Sequence, residues 1–160
     1  MSHPVFTYGT LQVPAIMAAV TGVQPEFEEA MLPAHACYRM KHRIYPGAVP
    51  CNDSYVRGLL YLGVDDLVLD YLDAFEDILY ERQQLAVMTR NIIVRSQVYI
   101  VAERYRKLLL SEPWDIEEFK SKHLARYLES CRKFYKSISG TENPGNCRDI
   151  PRNESQPGFT

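Results

Sequence analysis

One carboxylate, two polar strand residues and one glycine turn are the places where this chain could do chemistry. Glu76 closes the run "DDLVLDYLDAFED" (residues 65–77). At about 100° per residue, Val64, Leu67, Val68, Tyr71, Leu72 and Phe75 form an apolar stripe, and Glu76 falls on its shoulder beside Leu69 and Leu72. Asp66, Asp70, Asp73 and Asp77 are expected to lie opposite, facing water. A carboxylate at an apolar boundary is partly desolvated, which raises its proton affinity and makes it a stronger base. Two readings of Glu76 stand at this point: a general base, or a helix-end residue whose stem packs while its head reaches water. Tyr80 and Arg82 follow at the start of the next extended run. They could donate to a carboxylate, or they could be ordinary strand residues with polar tips. Far upstream, "TYGTL" (residues 7–11) breaks a strand-like run at Gly9. A tight strand-to-helix turn of this kind exposes backbone N–H groups, which commonly meet anions.

Other constellations are weak. His35, His42, Cys37 and Cys51 lack the spacing of a metal-ligand set, so no metal site is expected. No local signature supports a Cys–His nucleophilic pair. Gly9 stands alone in its turn, so there is no phosphate-binding glycine-rich loop. Asn153-Glu154-Ser155 is a glycosylation sequon only in a secreted protein.

The elements that must position these groups are legible in outline. A first strand ends in "VFTY", and "QVPAIMAAVTG" (12–22) reads as a short helix with Pro14 in its first turn and Gly22 at its close. Residues 26–38 read as extended structure interrupted at Pro33, and "RIYPGAVPCNDS" (43–54) as an irregular loop. "YVRGLLYLGV" (55–64) is a strand with apolar residues on both faces, and residues 65–77 switch to helical spacing. "YERQQLAVMTR" and "IIVRSQVYIVA" make a strand pair around Arg90-Asn91. The last helix starts at Asp115, with Glu118 completing a capping box and Trp114 and Phe119 a hydrophobic staple, and it runs to about residue 136. Strands outnumber helices without β-α-β alternation. The expected class is therefore α+β, with a mainly antiparallel, curved or barrel-like sheet and a few flanking helices.

At 160 residues the chain fits one domain, residues 1–136, followed by a Gly-, Pro-, Asn- and Ser-rich tail, 137–160, expected to be disordered. A net charge of −2 and a pI near 6.1 give no electrostatic case for nucleic acid or anionic membranes. No apolar run reaches the ~18 residues of a membrane span. Four cysteines without Cys-x-x-Cys spacing read as free thiols in a reducing compartment, so a cytoplasmic location is expected.

In combination, "YGTL" at the first strand end, the "YP" of Tyr45-Pro46, "VRGLLYLGV" and "LDAFED" followed by Tyr-Glu-Arg resemble the γ-glutamylcyclotransferase-like superfamily. The branch most resembled is the avirulence-induced-gene-like one, which includes plant proteins and the γ-glutamylamine cyclotransferases. The resemblance runs from Val5 to about Phe134, and "PWDIEEFKSKHL" looks like the opening of the last helix in plant-type members. It implies that Glu76 is the catalytic glutamate. It further implies that Tyr8, Gly9, Thr10 and Leu11 hold the substrate largely through backbone groups, that Tyr45 borders the pocket, and that Tyr80 and Arg82 belong to the site. The sequence departs from many relatives at Gln12-Val13-Pro14, beside the substrate mouth.

The implied activity is cyclisation of a γ-glutamyl amine or amino acid to 5-oxoproline with release of the amine. It needs no metal or organic cofactor, and the implied partner is a small γ-glutamyl substrate. A non-catalytic small-molecule binding module, or a glutamyl or acyl transfer enzyme acting on a larger carrier, would keep the same fold. Neither the leaving amine nor the oligomeric state is legible in the sequence.

Overall fold

The computed structural model describes residues 2–140. Five strands close into a barrel: β1 (His3–Thr7), β2 (Phe27–Arg39), β3 (Pro46–Val64), β4 (Tyr80–Thr89) and β5 (Ile92–Val101), in the spatial order β1-β3-β2-β4-β5. All neighbours run antiparallel except β1 and β5, whose parallel pairing closes the barrel through Val5–Gln97 and Phe6–Val98. Three helices flank it: α1 (Pro14–Thr21), α2 (Asp66–Phe75) and α3 (Ile116–Ser139). The expected α+β class with a curved, mainly antiparallel sheet is what forms. Among the described residues, no helix is long and apolar enough to cross a membrane.

Strand alternation sorts the apolar residues into two cores. Phe6, Ala30, Leu32, Val56, Leu60, Val87, Val98 and Ile100 fill the barrel. Val5, Tyr61 and Val101, on the other face of the same strands, join Ile16, Met17, Leu72, Phe75, Phe119 and Tyr127 beneath the helices. Gly58 marks the tightest approach between strands: a Cβ there would lie 2.1 Å from the Thr7 carbonyl oxygen. A side chain at this position would push β1, and with it the turn that follows, away from β3.

The structure corrects the sequence reading in several places. The stretch 43–54 is not an irregular loop, because β3 begins at Pro46 and pairs with β2 from Arg39–Pro46 through His35–Pro50. Pro46 is tolerated as the strand's first residue. The interruption at Pro33 is real but does not end β2. The register slips between Pro33 and His35, and Ala34 (φ 59°) and Asp53 (φ 64°) absorb the bulge on the two strands. The last helix continues through Ser137 to Ser139, because its apolar face still buries Ile138. The expected disorder of the tail otherwise lies outside the described residues.

Several expectations hold in detail. Gly22 closes α1 in the left-handed region at φ 76°. Arg90 and Asn91, at φ 45° and 64°, make the two-residue turn of the β4–β5 hairpin. Asp115 caps α3 by accepting from the N–H groups of Glu117 (2.9 Å) and Glu118 (3.4 Å), and the Trp114 and Phe119 rings meet at 5.8 Å. Cys37, Cys51 and Cys131 are free thiols; Cys147 lies outside the described residues.

Candidate active site

The site forms where α2 stops. Helical torsions end at Phe75, and Glu76 turns into extended backbone at φ −65°, ψ 144°, with its own N–H still bonded to Leu72 O at 3.0 Å. That change of direction swings the Glu76 carboxyl off the helix surface and under the barrel rim. The residue as a whole is half-buried, yet Oε2 is shut off from solvent. Among the described residues it is the buried side-chain polar atom without a hydrogen-bond partner. Burial first, then Asp77 and Asp73, hold the Glu76 carboxyl well above the usual carboxylate range. Of the two sequence readings, the one that sends the head to water is corrected: Glu76 is a helix-end residue, but its Oε2 is shut off from solvent.

The carboxyl opens into a narrow pocket lined by Phe6, Thr7, Tyr8, Gly9, Leu11 and Tyr99. β1 supplies the wall, and a short 3-10 turn over Thr10–Gln12 supplies the floor. The turn's internal hydrogen bonds run from Gln12 N to Gly9 O and from Val13 N to Thr10 O, both at 3.1 Å. The amides of Thr10 and Leu11, at its open end, have no carbonyl to meet within it. Gln12 folds back to donate from Nε2 to the Tyr8 and Gly9 carbonyls at 2.6 and 3.3 Å, which pins the turn. Gln12, where the chain departs from many relatives, thus braces the loop from behind.

The other sequence-nominated residues divide sharply. Tyr8 gives the pocket its ring, since its hydroxyl is engaged elsewhere. It donates to Tyr99 O at 2.6 Å and accepts from Ala48 N at 3.1 Å. Leu11 borders the pocket and fixes its backbone by accepting from Tyr61 OH at 2.6 Å. Thr10 is fully buried with Oγ1 3.0 Å from the Tyr127 hydroxyl, so its side chain supports the turn rather than lining the pocket.

Tyr45, Tyr80 and Arg82 do not line the pocket. Tyr45 and Tyr80 are buried with ring centroids 6.2 Å apart; Tyr45 donates to Asp77 and Tyr80 to the Pro46 carbonyl. Arg82 sits on the outer face of β4 and grips Asp73 through Nε (2.9 Å) and Nη2 (3.2 Å).

Four residues that sequence reasoning passed over complete the surroundings: Asp73, Asp77, Tyr99 and Tyr127. The expectation that the aspartates all face water fails at Asp77, whose side chain is 7% exposed and ion-paired to Arg43. It fails because the helical wheel was extended past the true helix end. Within α2, Leu67, expected in the apolar stripe, is 56% exposed, and Leu69 is buried instead. Tyr99 donates to Asp73 at 2.6 Å while its ring lines the pocket. Period-2 alternation along β5 was the available signal for it.

Burial pushes the Cys37 thiol up to about 12, which leaves it protonated at neutral pH. Among the described residues no three His, Cys, Asp or Glu side chains converge to hold a metal ion.

A closed five-stranded barrel with a strand-to-helix turn beside one buried carboxyl is the arrangement that the candidate site presents. The chain matches the family described as gamma-glutamyl cyclotransferase, AIG2-like, over residues 5–116, and it belongs to that family. Protein AIG2 A of Arabidopsis thaliana is 30% identical over 135 residues, covering 83% of this chain and 79% of that protein. A solved Arabidopsis thaliana structure superposes with a TM-score of 0.64 at 25% identity, covering 98% of this chain and 93% of the other. A solved gamma-glutamyl cyclotransferase shares the fold at a TM-score of 0.58 and 14% identity, covering 82% and 87% of the two chains.

Proposed function

We propose that this protein cyclises the γ-glutamyl group of a γ-glutamyl amine or amino acid to 5-oxoproline, releasing the free amine, with Glu76 as general base and then general acid. The observation that carries this reading is the orphaned, solvent-shielded Oε2 of Glu76 at the wall of a pocket floored by the Tyr8–Leu11 turn. A buried polar atom without a partner is costly, and such atoms are kept where a reaction uses them. A purely structural carboxylate would have been satisfied or replaced.

The chemistry asks little more than the site provides. The substrate carries its own nucleophile, the α-amine, which closes a five-membered ring on the γ-carbonyl once the chain is folded back. Holding that conformer is an orientation effect, worth up to several kcal/mol. The ionised Glu76 takes a proton from the α-ammonium, the new C–N bond forms, and the γ-carbonyl oxygen becomes an oxyanion. Collapse breaks the original C–N bond as Glu76 returns the proton to the departing amine nitrogen. The ring nitrogen, which still carries two hydrogens, then gives one up through Glu76 to the released amine, so the carboxyl ends each cycle ionised, as it began. The amides of Thr10 and Leu11, which meet no carbonyl within the turn, are the groups that would receive an oxygen anion of the substrate. The scheme calls on no cofactor.

A panel of γ-glutamyl amides tests the reading, with 5-oxoproline as the product measured. Release from at least one member, at a rate well above the uncatalysed background, is the expected result. A folded protein that releases none would sink the enzyme reading and leave the binding module on this fold.

A further inference from the structure

Glu76 stands between two other carboxylates, and each of these is held in the same way. Asp73, on α2, accepts from the Tyr99 hydroxyl of β5 (2.6 Å) and from two guanidinium nitrogens of Arg82 on β4 (2.9 and 3.2 Å). Arg82 is itself steadied by donating from Nη1 to Gln97 Oε1 at 2.7 Å. Asp77 accepts from the Tyr45 hydroxyl and from Arg43 Nε (3.2 Å), both in the β2–β3 connection or at its edge. Its other oxygen accepts from Leu79 N at 3.1 Å. One carboxylate, one tyrosine and one arginine thus recur on either side of Glu76, drawn from different elements.

The remaining titratable groups that face Glu76 are phenols: Tyr8 from the turn after β1, Tyr99 from β5 and Tyr127 from α3. Burial raises the proton affinity of all three, so they stay neutral through the physiological range. The charges that Glu76 meets are therefore those of the two aspartates and the arginines behind them. Three carboxylates crowd into residues 73–77. A nearby negative charge disfavours ionisation of a carboxyl oxygen that has no donor of its own. Asp73 and Asp77 are stabilised as anions by several donors each, and Glu76 Oε2 by none.

We propose that Asp73 and Asp77 are positioning residues that set the proton affinity of Glu76, the aspartates holding a proton on it and Arg82 and Arg43 limiting that hold so the proton can be exchanged with substrate. This rests on the reading of Glu76 as the general base. The two clamps differ in exposure. The Asp73 and Arg82 side chains are 38% and 34% exposed, whereas Asp77 is 7% exposed. The Asp73 clamp is accordingly the salt-sensitive one.

The test follows the Glu76 proton directly, by 13C NMR titration of glutamate-labelled full-length protein, with the Glu76 signal assigned by its loss in Glu76→Gln. Arg82→Gln leaves Asp73 uncompensated and is expected to raise the Glu76 titration midpoint by about one pH unit at low salt. Asp73→Asn leaves Arg82 uncompensated and is expected to lower it by a similar amount. The double variant and Arg82→Lys are expected to return it toward wild type. Arg43→Gln and Arg43→Lys repeat the comparison at the buried clamp, with little salt dependence. A merely structural role would move both single variants the same way or neither, and either result overturns the proposal. Should Asp73→Asn not fold, Arg82→Gln against Arg82→Lys decides: equal midpoints overturn the proposal. Because the readout needs no turnover, opposite shifts in a protein that releases no 5-oxoproline would sink the enzyme reading and leave the clamps standing.

Discussion

At the residue scale, the account turns on a carboxyl whose proton affinity is raised in the folded state. With its folded proton affinity raised above the ordinary value of 4.5, Glu76 binds more proton in the native than in the unfolded chain between those two points. Its contribution to stability is therefore fully present below about 4.5 and is lost as pH rises through the folded value. Glu76→Gln removes the titration while keeping the shape. It is expected to raise the melting temperature at about pH 8 and to flatten its decline with pH, each kcal/mol corresponding to ~2–4 °C. A differential scanning series from acid to mild alkali reads this, and a variant that melts below wild type at alkaline pH would show the carboxylate to be structurally engaged. Glu76 was legible in the sequence because its type conflicts with its apolar neighbours. Asp77 was not, because nothing in the run announces that the helix stops at Phe75, and Asp73 was not, because its partners Arg82 and Tyr99 come from distant strands. One residue of helix more or less moves a side chain by about 100° around the axis.

At the element scale, the turn that floors the pocket depends on how closely β1 lies on β3. Gly58 permits that approach, with the Thr7 carbonyl 2.1 Å and Phe6 Cζ 2.9 Å from where a Cβ would sit. Gly58→Ala is expected to cost about 1–3 kcal/mol and to lower turnover as well, since the strand that shifts carries Thr7 and Tyr8. Chemical denaturation beside a turnover assay checks it; unchanged stability would mean that β1 yields without cost. Elements with local signals were read well: Asp115 as a cap, Gly22 as a helix stop and Arg90-Asn91 as a hairpin turn. The first half of β3 was not. Two prolines and Asn-Asp-Ser mark a loop by local rules, and pairing with β2 overrides them.

At the scale of the whole molecule, barrel closure gathers the site from distant sequence. The β1 turn, the end of α2, β5 and α3 meet at Glu76, and the β2–β3 connection and β4 hold the aspartates beside it. Class and curvature could be read from strand count and alternation, since both follow from local period. The parallel β1–β5 pairing that shuts the barrel could not, because no pattern in either strand names its partner. Tyr45, Tyr80 and Arg82, which the family resemblance assigned to the site, stand behind the pocket rather than lining it.

The most direct measurement of the central claim is the pH dependence of kcat/KM for 5-oxoproline release, wild type against Glu76→Gln, on the best γ-glutamyl substrate. The account predicts an acidic limb in the wild type above the ordinary carboxylate value of 4.5, at the midpoint where Glu76 itself titrates. It also predicts a loss of about 10²–10⁴-fold in Glu76→Gln with the limb abolished. A Glu76→Gln protein that turns over at the wild-type rate, or keeps the same limb, would contradict the assignment of Glu76 as the base.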